Sequence, residues 1–316
     1  MGALGYVLLA VAAVFAGGLA AASVHFYNFA VRRGKKEFLR GNPDLQSTIN
    51  RPSSSEPTPV QWVEDQDCQD WQIRSPDALR LSALFLPAKE PTSRTVILAH
   101  GYTSKGKDMG RFARFYHEKL GFNVLMPDAR GHGQSEGNYI GFGWPDRLDY
   151  LQWIGEVAAR VGEDAEIVLH GLSMGAATVL MVSGEKLPPQ VKAIIADCGY
   201  SSVHEQLGYQ FQRMFKLPTF PLLRTTSLVT KMKAGYGFWE ASAVEQVKKS
   251  SVPILFIHGS EDRFVPVSMA WQLHEACPGD KEIFIVEGAG HGNAYETAGE
   301  AYEKRVKAFL ERYLSL

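Results

Sequence analysis

The sequence predicts an α/β protein: a mostly parallel central sheet flanked by helices, with a small insertion that interrupts the strand–helix rhythm, preceded by an N-terminal transmembrane helix. Three observations predict it. Short apolar, β-branched runs alternate with helical patterns, the rhythm of a sheet covered on both faces. Several of these runs end in a glycine-bearing turn with a polar residue, at the edge where open parallel sheets bind ligands. Ala3 to Val24 carries no Asp, Glu, Lys or Arg, and its 22 residues would make a helix of about 33 Å, the thickness of a bilayer core.

Composition narrows the function classes. The chain has 316 residues, 45% of them hydrophobic and 21% charged, with a net charge of −1. That suits one large globular domain with extras and offers no basic surplus for a nucleic-acid partner. Cys68, Cys198 and Cys277 are widely spaced and form no C-x-x-C pair. They read as partly buried thiols, not as zinc ligands, a dithiol or a disulfide framework.

The N-terminal stretch has three readings. A single-pass anchor fits its length and flanks. A signal peptide fits the small residues Ala20-Ala21-Ala22 but has no basic segment before it. A buried core helix is the third. Arg32, Arg33, Lys35 and Lys36 follow the span and no Lys or Arg precedes it. The positive-inside rule then places the bulk of the chain in the cytoplasm, a secreted or extracellular-face location being the alternative. The same cluster suits anionic lipid headgroups. From Gly41 to Pro59 the chain is rich in Pro and Ser and reads as a linker. The expected units are an anchor (1–31), a basic stretch and linker (32–59) and a main domain (60–316) with an insertion at about 199–250.

In the main domain, Gln69–Ile73 and Leu79–Leu86 read as paired strands around Ser75-Pro76-Asp77, the second buried on both faces. Thr95–Ala99 and Asn123–Met126 read as central strands, separated by a helical pattern with Met109, Phe112, Phe115 and Leu120 inward. A helix with Leu148, Leu151, Ile154, Ala158 and Val161 on its buried face follows. Strands are expected at Ile167–Leu169, Val191–Ala196, Pro253–Ile257 and Glu282–Val286. A closing helix is expected over 295–314, with Ala298, Tyr302, Val306, Phe309 and Tyr313 inward.

The strand ends carry the chemistry. Gly171-Leu172-Ser173-Met174-Gly175 is a G-x-S-x-G turn between a strand and a helix. Such a turn strains the serine and exposes its Oγ, while the helix N-terminus presents the N–H of Met174. Serine needs a base. His291, between Gly290 and Gly292 after the last strand, is the candidate. Asp262, after the strand at Pro253, is the preferred partner for that histidine, with Glu261 and Asp197 as rivals. The N–H of Tyr102, after His100-Gly101, is the natural second donor to an oxyanion. Whether the Tyr102 phenol reaches a substrate or only covers the pocket is open. Asp128, Arg130 and His132 read as a hydrogen-bonded, salt-bridged turn ahead of general-acid chemistry.

These segments together resemble the α/β-hydrolase superfamily of serine hydrolases. The carriers are His100-Gly101-Tyr102, the run Asp128 to Ser135, Gly171 to Gly175, Asp262 and Gly290-His291-Gly292, and the resemblance covers about residues 60–314. With the N-terminal span, the chain is similar to bacterial membrane-anchored, esterase-like members. There is no H-G-G-G run, which points away from esterases like hormone-sensitive lipase. The resemblance implies Ser173 as nucleophile, Asp262 as acid, His291 as base, and Tyr102 and Met174 as oxyanion donors, with no cofactor and no metal. It also implies that the aromatic-rich insertion from Cys198 to Ser250 caps the site. The expected activity is hydrolysis of small-molecule carboxylic esters with short to medium or aromatic acyl groups, through an acyl-enzyme. The alternatives are a thioesterase, or a lipid or acyl-protein deacylase, at the membrane, and a non-catalytic binding scaffold. Oligomeric state is left open.

Overall fold

Eight strands form one sheet in the computed structural model, which describes residues 2–39, 42, 44–45 and 57–315. The strands are β1 (Gln69–Arg74), β2 (Arg80–Leu86), β3 (Arg94–Ala99), β4 (Asn123–Pro127), β5 (Glu166–Leu172), β6 (Val191–Asp197), β7 (Ile254–Gly259) and β8 (Lys281–Val286). Their spatial order is β1-β2-β4-β3-β5-β6-β7-β8. β2 runs antiparallel to β1 and β4, and the other pairs are parallel. The helices are α1 (Ala3–Phe26), α2 (Pro59–Glu64), α3 (Gly110–Arg114), α4 (Asp146–Val161), α5 (Met174–Val182), α6 (Val203–Phe215), α7 (Leu222–Ala234), α8 (Ala243–Val247), α9 (Val267–Ala276), α10 (Ala294–Ala298) and α11 (Glu300–Leu310).

Strand alternation splits the core into two layers. Ile97, Leu169, Ile194 and Phe256 face α4, α5 and the cap. Val96, Val168, Ile195 and Leu255 face α3 and α11. Central strands buried on both faces read as continuous apolar runs for this reason. β2 differs from expectation: Leu81, Ala83 and Phe85 are buried, but Ser82 and Leu84 only partly.

Two helices also differ. In α4 the buried residues are Asp146, Asp149, Tyr150, Trp153, Ile154 and Val157. Of the expected face only Ile154 is buried; Leu148, Leu151, Ala158 and Val161 sit on its flank. The buried face is the stripe Tyr150, Trp153, Ile154 and Val157, and beside it the Asp149 carboxylate meets the buried guanidinium of Arg130 at 2.7 Å. The closing helix is broken at Gly299 (φ 52°, ψ −122°) into α10 and α11. Tyr302, Val306 and Phe309 are buried as expected, with Ala298 and Tyr313 packed partly against them.

The insertion after β6 forms α6, α7 and α8. The N-terminal helix is long and apolar enough to cross a membrane. Its first part is largely exposed and its end is built into the globular body. After Phe26 it continues as a π-turn, Tyr27–Val31, in which Tyr27 and Val31 are buried. The Ser23 hydroxyl donates to Thr225 Oγ1 of α7 at 2.7 Å. The Arg33 guanidinium donates to the carbonyls of Gly133 and Ser135 at 2.8 Å. Lys36 donates to the carbonyls of Phe29 and Arg32 at 2.7 Å, and burial lowers its pKa to about 8. Two of the four basic residues suited to headgroups are thus committed to protein carbonyls. Most of the expected linker lies outside the described residues.

Candidate active site

The site is assembled at the C-terminal ends of β3, β5, β7 and β8. Between β5 and α5, Ser173 adopts φ 56°, ψ −115°, a conformation costly for a residue with a Cβ. The two glycines permit it. A Cβ on Gly171 would lie 2.2 Å from the carbonyl oxygen of Gly175, and one on Gly175 would lie 1.9 Å from that of Ala99. The Ser173 N–H donates to the Asp197 carbonyl at 2.8 Å, fixing the turn to the end of β6.

Ser173 Oγ lies 2.8 Å from Nε2 of His291. His291 Nδ1 lies 2.7 Å from Asp262 Oδ2. A carboxylate only accepts, so Nδ1 carries the proton toward Asp262 and Nε2 is left to accept from the serine. The other oxygen of Asp262 accepts the N–H groups of Phe264 and Val265 at 2.9 and 2.8 Å. Burial pushes the Asp262 carboxyl up, but His291 and His258 outweigh it and hold it well below the usual carboxylate range. The rivals do not reach His291. Glu261 is exposed. Asp197 accepts from the Tyr302 hydroxyl at 2.9 Å, and burial raises its pKa to about 6.

Sequence reading passes over His258. It is fully buried, with Nε2 2.8 Å from the Val265 carbonyl and 3.2 Å from Asp262 Oδ2. It braces the Asp262 loop from behind. Its position four residues before Asp262 is the one signal that points there.

The N–H groups of Tyr102 and Met174 find no acceptor among the described residues. The Tyr102 phenol, whose role was open, donates to the Ala30 carbonyl at 2.6 Å and stacks on Phe142. It ties the N-terminal segment over the pocket. Arg130 pairs through Nε and Nη2 with Asp149 and through Nη1 reaches Asp77 at 2.9 Å. Asp128 accepts from the N–H groups of Gly106 and Gln134. His132 accepts from Thr103 N–H and, through Nδ1–H, donates to the Arg130 carbonyl; burial lowers its pKa to about 3. These contacts make the turn a structural brace.

Cys198 lies close enough to Asp262 and His291 for the three to share a metal ion. Burial raises its thiol pKa well above the usual value, and the other two already bond to each other. That donor set suits the hydrogen-bonded chain better than ligation. Above Ser173 opens a cavity with a mainly apolar lining. Tyr102 and Met174 line it near the serine, Phe211 and Phe215 from the cap, and Phe26 and Phe29 from the N-terminal segment.

The chain resembles known proteins in sequence and in fold. Residues 96–305 match the model of an alpha/beta hydrolase family. The uncharacterized protein YqkD of Bacillus subtilis is 32% identical over 71% of this chain and 73% of its own length. Alpha/beta hydrolase domain-containing protein 17C of mouse is 26% identical over 74% of this chain, which spans 65% of that protein. Among solved structures, the esterase Pf2001 of Pyrococcus furiosus superposes with a TM-score of 0.66 at 24% identity, covering 82% of this chain and 97% of that one. The fold is therefore shared with this enzyme. The match across about two thirds of the chain, joined to the strand order and the serine turn, establishes that the chain belongs to the alpha/beta hydrolase family.

Proposed function

We propose that this hydrolase cleaves carboxylic esters with short to medium or aromatic acyl groups, through an acyl-enzyme on Ser173. The observation that carries the reading is the unbroken chain Ser173–His291–Asp262, at 2.8 and 2.7 Å, beneath an apolar cavity. His291 takes the serine proton as Oγ attacks the ester carbonyl. Asp262 holds the imidazole in its tautomer and stabilises the imidazolium. The N–H groups of Tyr102 and Met174 take the developing oxyanion. His291 then returns the proton to the leaving alcohol, and water, deprotonated by the same histidine, releases the acid and regenerates Ser173.

Activity belongs at the cell membrane on this reading, with the N-terminal helix as a single-pass anchor and the main domain in the cytoplasm. The anchor favours one second reading, a thioesterase or lipid or acyl-protein deacylase of the same mechanism, because the bilayer concentrates acyl substrates. A panel of p-nitrophenyl esters and acyl thioesters on wild type and Ser173→Ala tests both. Turnover of the esters, lost in the variant, supports the first reading. Preference for thioesters supports the second, and turnover retained by Ser173→Ala contradicts both.

A further inference from the structure

The end of the N-terminal helix is part of the cavity wall. Phe26, Phe29 and Phe38 line the cavity together with Phe211 and Phe215 of α6. The rings touch one another. Phe26 meets Phe211 and Phe215 with centroids 5.3 and 5.2 Å apart. Phe29 stacks on Phe38 at 4.2 Å. Ser173 lines the same cavity.

This wall is held in place. Tyr102, whose N–H is the proposed oxyanion donor, bonds through its phenol to Ala30. The Ile140 N–H donates to the Val31 carbonyl at 2.7 Å. Arg33 grips the carbonyls of 133 and 135, and Ser23 pins the helix to α7. Asp44, further along, pairs with Arg213 of α6 at 2.6 Å. A loose tether would make none of these contacts.

We propose that residues 26–38 form the acyl subsite, so that the segment read as an anchor also selects the substrate. The class it takes is an ester whose single unbranched apolar chain runs from Ser173 into the phenylalanine cluster. Such a chain buries its methylenes against ring faces, each buried methylene contributing favourably, whereas a short acyl group leaves the far end of the cavity unfilled. The inference rests on the ester-hydrolase reading and adds the length and shape of the acyl group.

The test uses the full-length protein in detergent, with p-nitrophenyl acetate and p-nitrophenyl octanoate. The readout is the ratio of their kcat/KM values, resolved into KM and kcat. Wild type should favour octanoate. Phe29→Ala and Phe26→Ala should lower the octanoate-to-acetate ratio about tenfold, mainly through KM, and Phe29→Leu should recover most of it. A general loss of folding would depress both esters together and leave the ratio unchanged. An unchanged ratio in alanine variants that keep the wild-type circular dichroism and melting temperature overturns the subsite while leaving the hydrolase reading intact. Failure of wild type to turn over either ester overturns that reading, and the subsite with it.

Discussion

Asp262 is the residue whose environment says most about the proposed chemistry. Both its oxygens accept hydrogen bonds, and two histidines bear on it. Asp262→Asn keeps the shape but reverses the tautomer preference of His291. The expected result is a fall in kcat of about 10⁴-fold with the fold retained, measured by ester turnover and circular dichroism; near-normal turnover would reject the role. Asp146 makes an opposite electrostatic case. Burial raises its pKa to about 7, only partly countered by Arg130. A carboxyl raised above its ordinary value near 4 contributes stability that is full below that value and lost as pH rises through about 7. Melting temperatures of wild type and Asp146→Asn should therefore diverge between pH 5 and pH 8. The wild type should lose several degrees relative to the variant, and parallel curves would contradict the assignment. Ser173, His291 and Asp262 are legible in the sequence because each follows a strand end, and strand ends converge. His258 and Asp146 are not, because burial and partners contributed by other elements are not written in local spacing.

At the level of elements, one guanidinium joins three parts of the fold. Arg130, beyond β4, ties Asp149 of α4 and Asp77 of the β1–β2 turn. Arg130→Ala would leave Asp149 buried without its counter-charge. The expected loss is about 3–5 kcal/mol, read from chemical denaturation; a loss under about 1 kcal/mol would show the pair to be dispensable. Leu148 and Leu151 suggest one apolar stripe of α4, yet the buried stripe is Tyr150, Trp153, Ile154 and Val157, an equally regular helical spacing that the aromatic residues make the larger one. Gly299 sits inside a helical pattern, and one glycine does not reveal whether it bends the chain. The strands are more legible, because a short β-branched apolar run bounded by turn residues is too short for a helix and too apolar for a loop.

For the whole molecule, the sequence pattern separates an anchor from a hydrolase domain, while the structure places residues 26–38 against the cap and around the cavity. Periodicity cannot show this, since the contacts join residues about 70 to 200 positions apart in the chain. The arrangement also fixes the form in which the protein should be assayed, because truncation before Val60 removes one wall of the cavity. The decisive measurement is labelling of the full-length protein in detergent with a fluorophosphonate probe, beside Ser173→Ala. The wild type should label rapidly and the variant not at all. A folded wild type that resists the probe, or a Ser173→Ala variant that still labels, would contradict an activated serine at this position.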